Sequence, residues 1–107
     1  MQRLQFIGIT KSKNSMKKWD ATFILPTGRT KVVSFGAAGM TDFTLSPRRS
    51  PEERREAIKR RRLYINRHRE RENWRNPLTA GALSRWILWE KESLEDALKA
   101  FRERFGL

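Results

Sequence analysis

The sequence predicts an α+β fold, an N-terminal three-stranded antiparallel sheet built on a β-hairpin and followed by three helices at about 51–73, 77–90 and 94–105. Three observations carry that expectation. Trp19, Ala21, Phe23 and Leu25 alternate with Asp20, Thr22 and Ile24, and the β-branched and aromatic run Lys31-Val32-Val33-Ser34-Phe35 follows a Pro26-Thr27-Gly28 turn. Between Pro51 and Trp74 the chain contains no further proline and no glycine. Leu94, Ala97, Leu98, Phe101 and Phe105 fall at i, i+3, i+4, i+7 and i+11, on one face of a helix.

In chain order, the first strand is expected at 4–9, with the polar stretch 10–15 leading into the hairpin. Two strands alone would be marginal in water, so this third one, or a covering helix, is needed. Asp20 is expected on the polar side of its strand. Gly36-Ala37-Ala38-Gly39 breaks the sheet, and a turn is favoured over a phosphate cradle because no Lys-Ser/Thr follows. Asp42-Phe43-Thr44 is read as a short extended piece. Residues 46–50 form a basic linker, in which Ser50 suits an N-cap, Pro51 the first helical position, and Glu52 and Glu53 the positive end of the helix dipole. Along the helix that follows, Ala57, Ile58, Tyr64, Ile65 and His68 make a narrow apolar stripe able to dock on the sheet. Asn76-Pro77 reads as the cap and first turn of the second helix, in which Leu78, Ala82, Trp86 and Trp89 recur at helical spacing. Ser93 with Asp96 resembles a capping box, and Gly106 stands where the third helix would end.

With 107 residues the chain fits a single domain: 1–45 sheet, 46–50 linker, 51–107 helical part. Apolar residues are 37% of it, so four Trp and six Phe must supply much of the core. Cysteine is absent, which removes thiol catalysis, Cys-ligated zinc and disulfides. No apolar run approaches the roughly 20 residues of a membrane span, and the first residues lack a signal-peptide core, so a soluble intracellular product is expected.

The formal net charge is +12, and it is unevenly spread. Residues 1–45 hold seven bases and two acids, 46–76 twelve and five, and 77–107 five and five. The neutral last segment reads as scaffold, its tryptophans as core, while the surplus on the first two makes a polyanion the default partner. The candidate phosphate-binding residues are Arg48, Arg49, Arg54, Arg55, Lys59, Arg60, Arg61, Arg62, Arg67, Arg69 and Arg71, with Lys11, Lys13, Lys17 and Lys18 as a second patch. Ser46-Pro47-Arg48-Arg49 resembles the Ser-Pro-basic-basic turn of histone tails, and phosphorylation at either Ser-Pro would weaken anion binding.

Catalytic constellations are thin. His68 is the only imidazole, with Glu72 one helical turn away, and no second histidine completes a usual zinc set. Asp20 and Asp42 are the only acids of the first half, whereas a metal nuclease would want several clustered carboxylates. The run from His68 to Asn73 resembles a fragment of a His-Asn nuclease motif, yet a structural His68 is the simpler reading. No catalytic residue, metal or cofactor is expected.

Several stretches then combine: Lys18-Trp19-Asp20-Ala21-Thr22-Phe23, Gly28-Arg29-Thr30-Lys31, Val33-Ser34-Phe35-Gly36, Asp42-Phe43-Thr44, Tyr64-Ile65-Asn66-Arg67-His68, Glu72-Asn73-Trp74, Pro77-Leu78-Thr79-Ala80-Gly81 and Ser84-Arg85-Trp86-Ile87-Leu88-Trp89. In this order they resemble a family of small basic proteins encoded by giant nucleocytoplasmic large DNA viruses. The resemblance covers about 18–107, and its Thr-Ala-Gly and Ser-Arg-Trp portions are the most specific. It implies a viral setting, in the virion or the infected host cell (cytoplasmic viral factory or nucleus), and supplies no catalytic residues. The expected function is a non-enzymatic viral nucleic-acid-binding protein that contacts the phosphate backbone, of DNA in the first instance, with weak sequence specificity. The alternative is a minor capsid or virion structural protein that bridges acidic virion proteins through the same arginines. A small metal-dependent nuclease ranks third.

Overall fold

The computed structural model of the chain describes residues 3–44 and 50–107. Strands β1 (Gln5–Lys11), β2 (Lys17–Ile24) and β3 (Thr30–Ala37) form an antiparallel sheet in the order β1-β2-β3. Three helices follow: α1 (Pro51–His68), α2 (an α turn over Ala80–Leu83 that widens into a π turn over Ser84–Leu88) and α3 (Leu94–Phe105). This is the α+β order that the sequence predicts.

The period-2 pattern sets the sheet's inner face. Ala21 pairs with Val33 and Trp19 with Phe35, so every second residue of the hairpin points to the same side. Phe6, Ala21, Phe23 and Phe35 from the sheet meet Leu83, Ile87 and Leu88 of α2 and Phe101 of α3 in one buried cluster. Trp19, Trp86 and Trp89 pack against its margin, which fits the reading of the tryptophans as scaffold. Between Phe6 and Gly8 the β1–β2 register shifts by one residue, a bulge that leaves Ile7 more than half exposed. The carbonyls freed there find a donor in α3: the Arg102 guanidinium reaches Phe6 O at 2.9 Å and lies over the Phe6 ring. The same nitrogen bonds Leu107 O at 3.2 Å, tying the C-terminus to the sheet edge.

The helix ends follow side-chain chemistry. Ser50 Oγ accepts the Glu53 amide at 3.1 Å, and Ser93 Oγ accepts that of Asp96 at 3.3 Å. Gly106 closes α3 in the left-handed region, φ 66°, where glycine carries no Cβ penalty. Helix α1 stops at His68, short of 73, because the polar side chains after it compete for local bonds: Glu72 turns back to His68, and Asn73 Oδ1 accepts the Arg75 amide. Likewise Asn76 Oδ1 accepts the Leu78 amide in a turn, and the cap of α2 is Thr79, whose hydroxyl accepts the Ala82 amide at 3.1 Å. The second helix therefore starts at 80 rather than 77.

Residues 42–44 form no strand. Asp42 pairs with Lys18, its carboxylate accepts the Thr44 amide, and the Phe43 amide donates to Leu88 O at 3.0 Å, so the buried Phe43 is fastened to the end of α2. Helix α1 rests on this loop and on the segment after α2, not on the sheet. Arg61 falls in line with Ala57, Tyr64 and His68 at i+4, i+7 and i+11, so its inner side is half polar and seeks carbonyls and carboxylates. Ala57 is the buried residue of that side, while Ile58 of the expected stripe is 43% exposed. The linker candidates Ser46-Pro47-Arg48-Arg49 lie outside the described residues.

Sheet and helix approach closely at Gly36, in β3 with φ 79°. A Cβ there would sit 2.9 Å from Leu88 Cδ1 and 3.3 Å from Lys18 Cβ. Gly36→Ala is expected to lower the unfolding free energy by about 1–3 kcal/mol, from the left-handed backbone and the displaced Leu88 together. Urea titration followed by tryptophan fluorescence checks it, and an unchanged midpoint contradicts the account.

Candidate nucleic-acid interface

The arginines of α1 divide by direction. On the inner side Arg61 donates from Nε to Trp89 O at 2.7 Å and from Nη2 to Glu90 Oε1 at 2.8 Å. Arg54 pairs with Glu92 at 2.8 Å, and Arg60 donates to Thr41 Oγ1 at 2.7 Å. Tyr64 stacks between His68 and Trp89, with centroids 4.4 and 4.6 Å away. These residues hold the helix to the body, and Arg54, Arg60 and Arg61 are engaged by it.

Arg55, Lys59, Arg62 and Arg69 point to the opposite side, within less than half the helical circumference at 100° per residue. All four are exposed. Arg55 makes only a long i,i+3 contact with Glu52, 3.6 Å between two solvated side chains, while Lys59, Arg62 and Arg69 form no ion pair among the described residues. Arg71 lies just beyond the helix and is likewise exposed and unpaired among them. Arg67 points sideways, over a cleft described below. Arg48 and Arg49 belong to the linker outside the described residues.

The second patch is split too. Lys18 is committed to Asp42, whereas Lys11, Lys13 and Lys17 are exposed on the β1–β2 hairpin. That hairpin is pinned by Asp20, which faces away from the phenylalanine core yet is buried among its own donors: the Ser12 and Ser34 hydroxyls, each at 2.6 Å, and the Lys13 amide. The hydroxyl of Ser12, then that of Ser34, holds the Asp20 carboxyl below the usual aspartate range.

Glu90 and Arg85, which sequence reasoning passed over, support the interface from beneath. Arg85 is buried, its guanidinium over Trp86 at 4.2 Å and Trp74 at 5.4 Å, and Nη1 bonds Glu90 Oε1 at 3.1 Å. Among the described residues its buried Nε has no hydrogen-bond partner. Burial pulls the Arg85 guanidinium below its ordinary value, and the Glu90 charge opposes that. Burial alone would raise Glu90, but the hydrogen bond from Arg61 and the charge of Arg85 outweigh it and hold the carboxyl below the usual range. Only the Ser84-Arg85-Trp86 stretch drew attention to Arg85 in the sequence, and nothing there distinguished Glu90 from other carboxylates.

His68 Nδ1 lies 2.9 Å from Glu72 Oε1, and Glu72 Oε2 accepts from Trp74 Nε1 at 2.9 Å. An ionised carboxylate only accepts, so Nδ1 carries the proton. Gly81 seats this carboxylate: a Cβ there would stand 2.8 Å from Glu72 Oε2. Burial, then the nearby Glu72 charge, pushes the Tyr64 hydroxyl up. The His68–Glu72 pair thus serves the turn that ends α1. Among the described residues no three His, Asp or Glu gather as a metal site. Nor is any helix there long and apolar enough to cross a membrane.

Between α1, the β3 end of the sheet and α2 runs a cleft of about 770 Å³, with Lys17, Arg60, Leu63, Tyr64, Arg67 and Ser84 among its lining. No family model, curated protein or solved structure matches the chain.

Glu90→Gln keeps the shape but removes the charge between two guanidiniums. Glu90 is half-buried, and the loss expected is about 1.5–3 kcal/mol, that of charge-assisted hydrogen bonds to a partly solvated carboxylate. Because Glu90 titrates lower folded than unfolded, the unfolded chain binds more protons in acid. The stabilisation is therefore complete above the ordinary glutamate pKa and is lost as pH falls through the folded value. Urea midpoints of the parent chain should fall between pH 7 and pH 3, and those of Glu90→Gln should fall less. Parallel pH profiles would contradict the role assigned to Glu90.

Proposed function

We propose that this chain is a non-enzymatic nucleic-acid-binding protein whose α1 lies along a phosphate backbone, in the viral setting, virion included, that the family resemblance implies. The observation that carries this is the exposed cation stripe Arg55, Lys59, Arg62 and Arg69 on the side of α1 away from its docking contacts. The stripe covers 14 of the helix's 18 residues plus Arg69 at its C-cap, about 21 Å at 1.5 Å per residue, enough to follow several phosphates. Helix α1 is held to the body by other arginines, so phosphate contact need not dismantle the fold. No side chain is distinguished as aimed at base edges, which supports weak sequence specificity.

A second reading, a virion structural protein that bridges acidic partners, is favoured by one observation. Arg54 and Arg61 already use carboxylates, those of Glu92 and Glu90, to hold helix against body.

Duplex DNA titrated by fluorescence anisotropy at several salt concentrations tests the proposal. With about four phosphates neutralised, log Kd should change with log salt at a slope of magnitude about 3–4. Lys59→Glu with Arg62→Glu should weaken binding at least tenfold and reduce that slope by about 2. Binding that is absent, or unaffected by salt, overturns the reading, and retention by an acidic protein fraction alone favours the structural alternative.

A further inference from the structure

The cleft beneath α1 is separate from the outer stripe. Its roof is the helix, held down by Arg60 on Thr41 and by the stack of Tyr64 on Trp89. Its floor is the end of β3 and the start of α2, with Gly36, Ala80 and Gly81 among its lining. A volume of about 770 Å³ lies inside the roughly 300–1,000 Å³ typical of small-molecule sites.

Its chemistry is mixed in an informative way. The two carboxylates on its walls are occupied, Asp42 by Lys18 and Glu72 by His68 and Trp74. Lys17 from β2 and Arg67 from α1 form no ion pair among the described residues, so the space carries unbalanced positive charge from two elements. Beside them stand the exposed apolar side chains Leu63 and Met40, at 51% and 66% exposure. The Tyr64 and Ser84 hydroxyls line the same space and make no hydrogen bond among the described residues. Anion-directed donors, an apolar surface for a flat body and hydroxyls for its polar edge are what a phosphorylated heterocycle requires. A bare phosphate would leave the apolar wall unused, and an apolar ligand would strand two cations.

We propose that this cleft binds a nucleotide, free or as an unpaired residue of a strand, with its phosphate on Lys17 and Arg67 and its base against Leu63 and Met40. The proposal goes beyond backbone binding by the outer stripe and stands without it. The test is calorimetric titration of the full chain with thymidine monophosphate, thymidine, inorganic phosphate and a ten-residue oligothymidylate. The monophosphate should bind at least tenfold more tightly than either the nucleoside or inorganic phosphate. Lys17→Ala with Arg67→Ala should cost at least tenfold at an unchanged urea midpoint, since both side chains are solvated. Lys59→Glu with Arg62→Glu should leave monophosphate binding within twofold while weakening duplex binding at least tenfold, which separates this site from the outer stripe. If the oligothymidylate displaces the monophosphate, the source is a strand; if it does not at tenfold excess, the source is the free nucleotide. No binding at millimolar concentration, equal binding of nucleotide and inorganic phosphate, or indifference to the Lys17/Arg67 change overturns the proposal.

Discussion

The position of α1 depends on the Glu90 carboxylate. One of its oxygens accepts from Arg61 on that helix and from Arg85 in the interior, at 2.8 and 3.1 Å. Two guanidiniums brought together at the edge of an apolar core repel each other, and one of them is largely desolvated. A single carboxylate between them turns that repulsion into a joint. Arg85 is further covered by Trp86 and Trp74, and Arg104 lies over the other part of the same system, 3.5 Å from the Trp86 ring centre. The charge-neutral C-terminal segment is therefore far from inert: its carboxylates at 90 and 92 receive the inner arginines of α1.

This arrangement separates two uses of one residue type. Arginines that face the body are held by Trp89 O, Glu90, Glu92 and Thr41, and their positive charge is locally offset. Among the described residues those that face outward make no ion pair beyond a loose contact of Arg55 with Glu52, and they keep the surplus that a polyanion would neutralise. Arg61 interrupts the apolar stripe and docks α1 on Trp89 O and Glu90, while Arg60, Leu63, Tyr64 and Arg67 border the cleft beside that contact.

Glycine placement completes the geometry at two points. Gly36 lets the α2 end approach the sheet, and Gly81 lets the Glu72 carboxylate settle against α2, where it meets His68 and Trp74. The turn after α1 is thereby tied to both helices that border the cleft. The lone histidine, a tempting catalytic candidate, is occupied in holding this turn.

Much of the fold was legible in the sequence because the relevant forces are local. Alternation at Trp19 to Leu25 set the buried face of β2, Pro26-Thr27-Gly28 set the turn, Ser50 and Ser93 set two helix starts, and Gly106 set an end. Each of these depends on residues within a few positions of one another. The distribution of charge was legible for the same reason, down to the contrast between a basic middle and a neutral end. What the sequence could not display is the direction in which each arginine points. Candidates such as Arg54, Arg60, Arg61 and Lys18 look the same along the chain as Lys59 or Lys17. Their separation rests on carboxylates, a carbonyl and a hydroxyl 19 to 38 residues away. The cleft likewise arises from contacts between elements, whereas the stop of α1 at His68 and the displacement of the α2 cap from Asn76 to Thr79 follow from local side-chain bonds whose outcome composition alone does not rank. The sequence by itself determined which segments become strand or helix and where positive charge accumulates, because those follow from short-range periodicity and composition. Which charges are spent on folding and which remain outward was decided by tertiary structure alone, because a cation's fate depends on the nearest carboxylate in space, not in the chain.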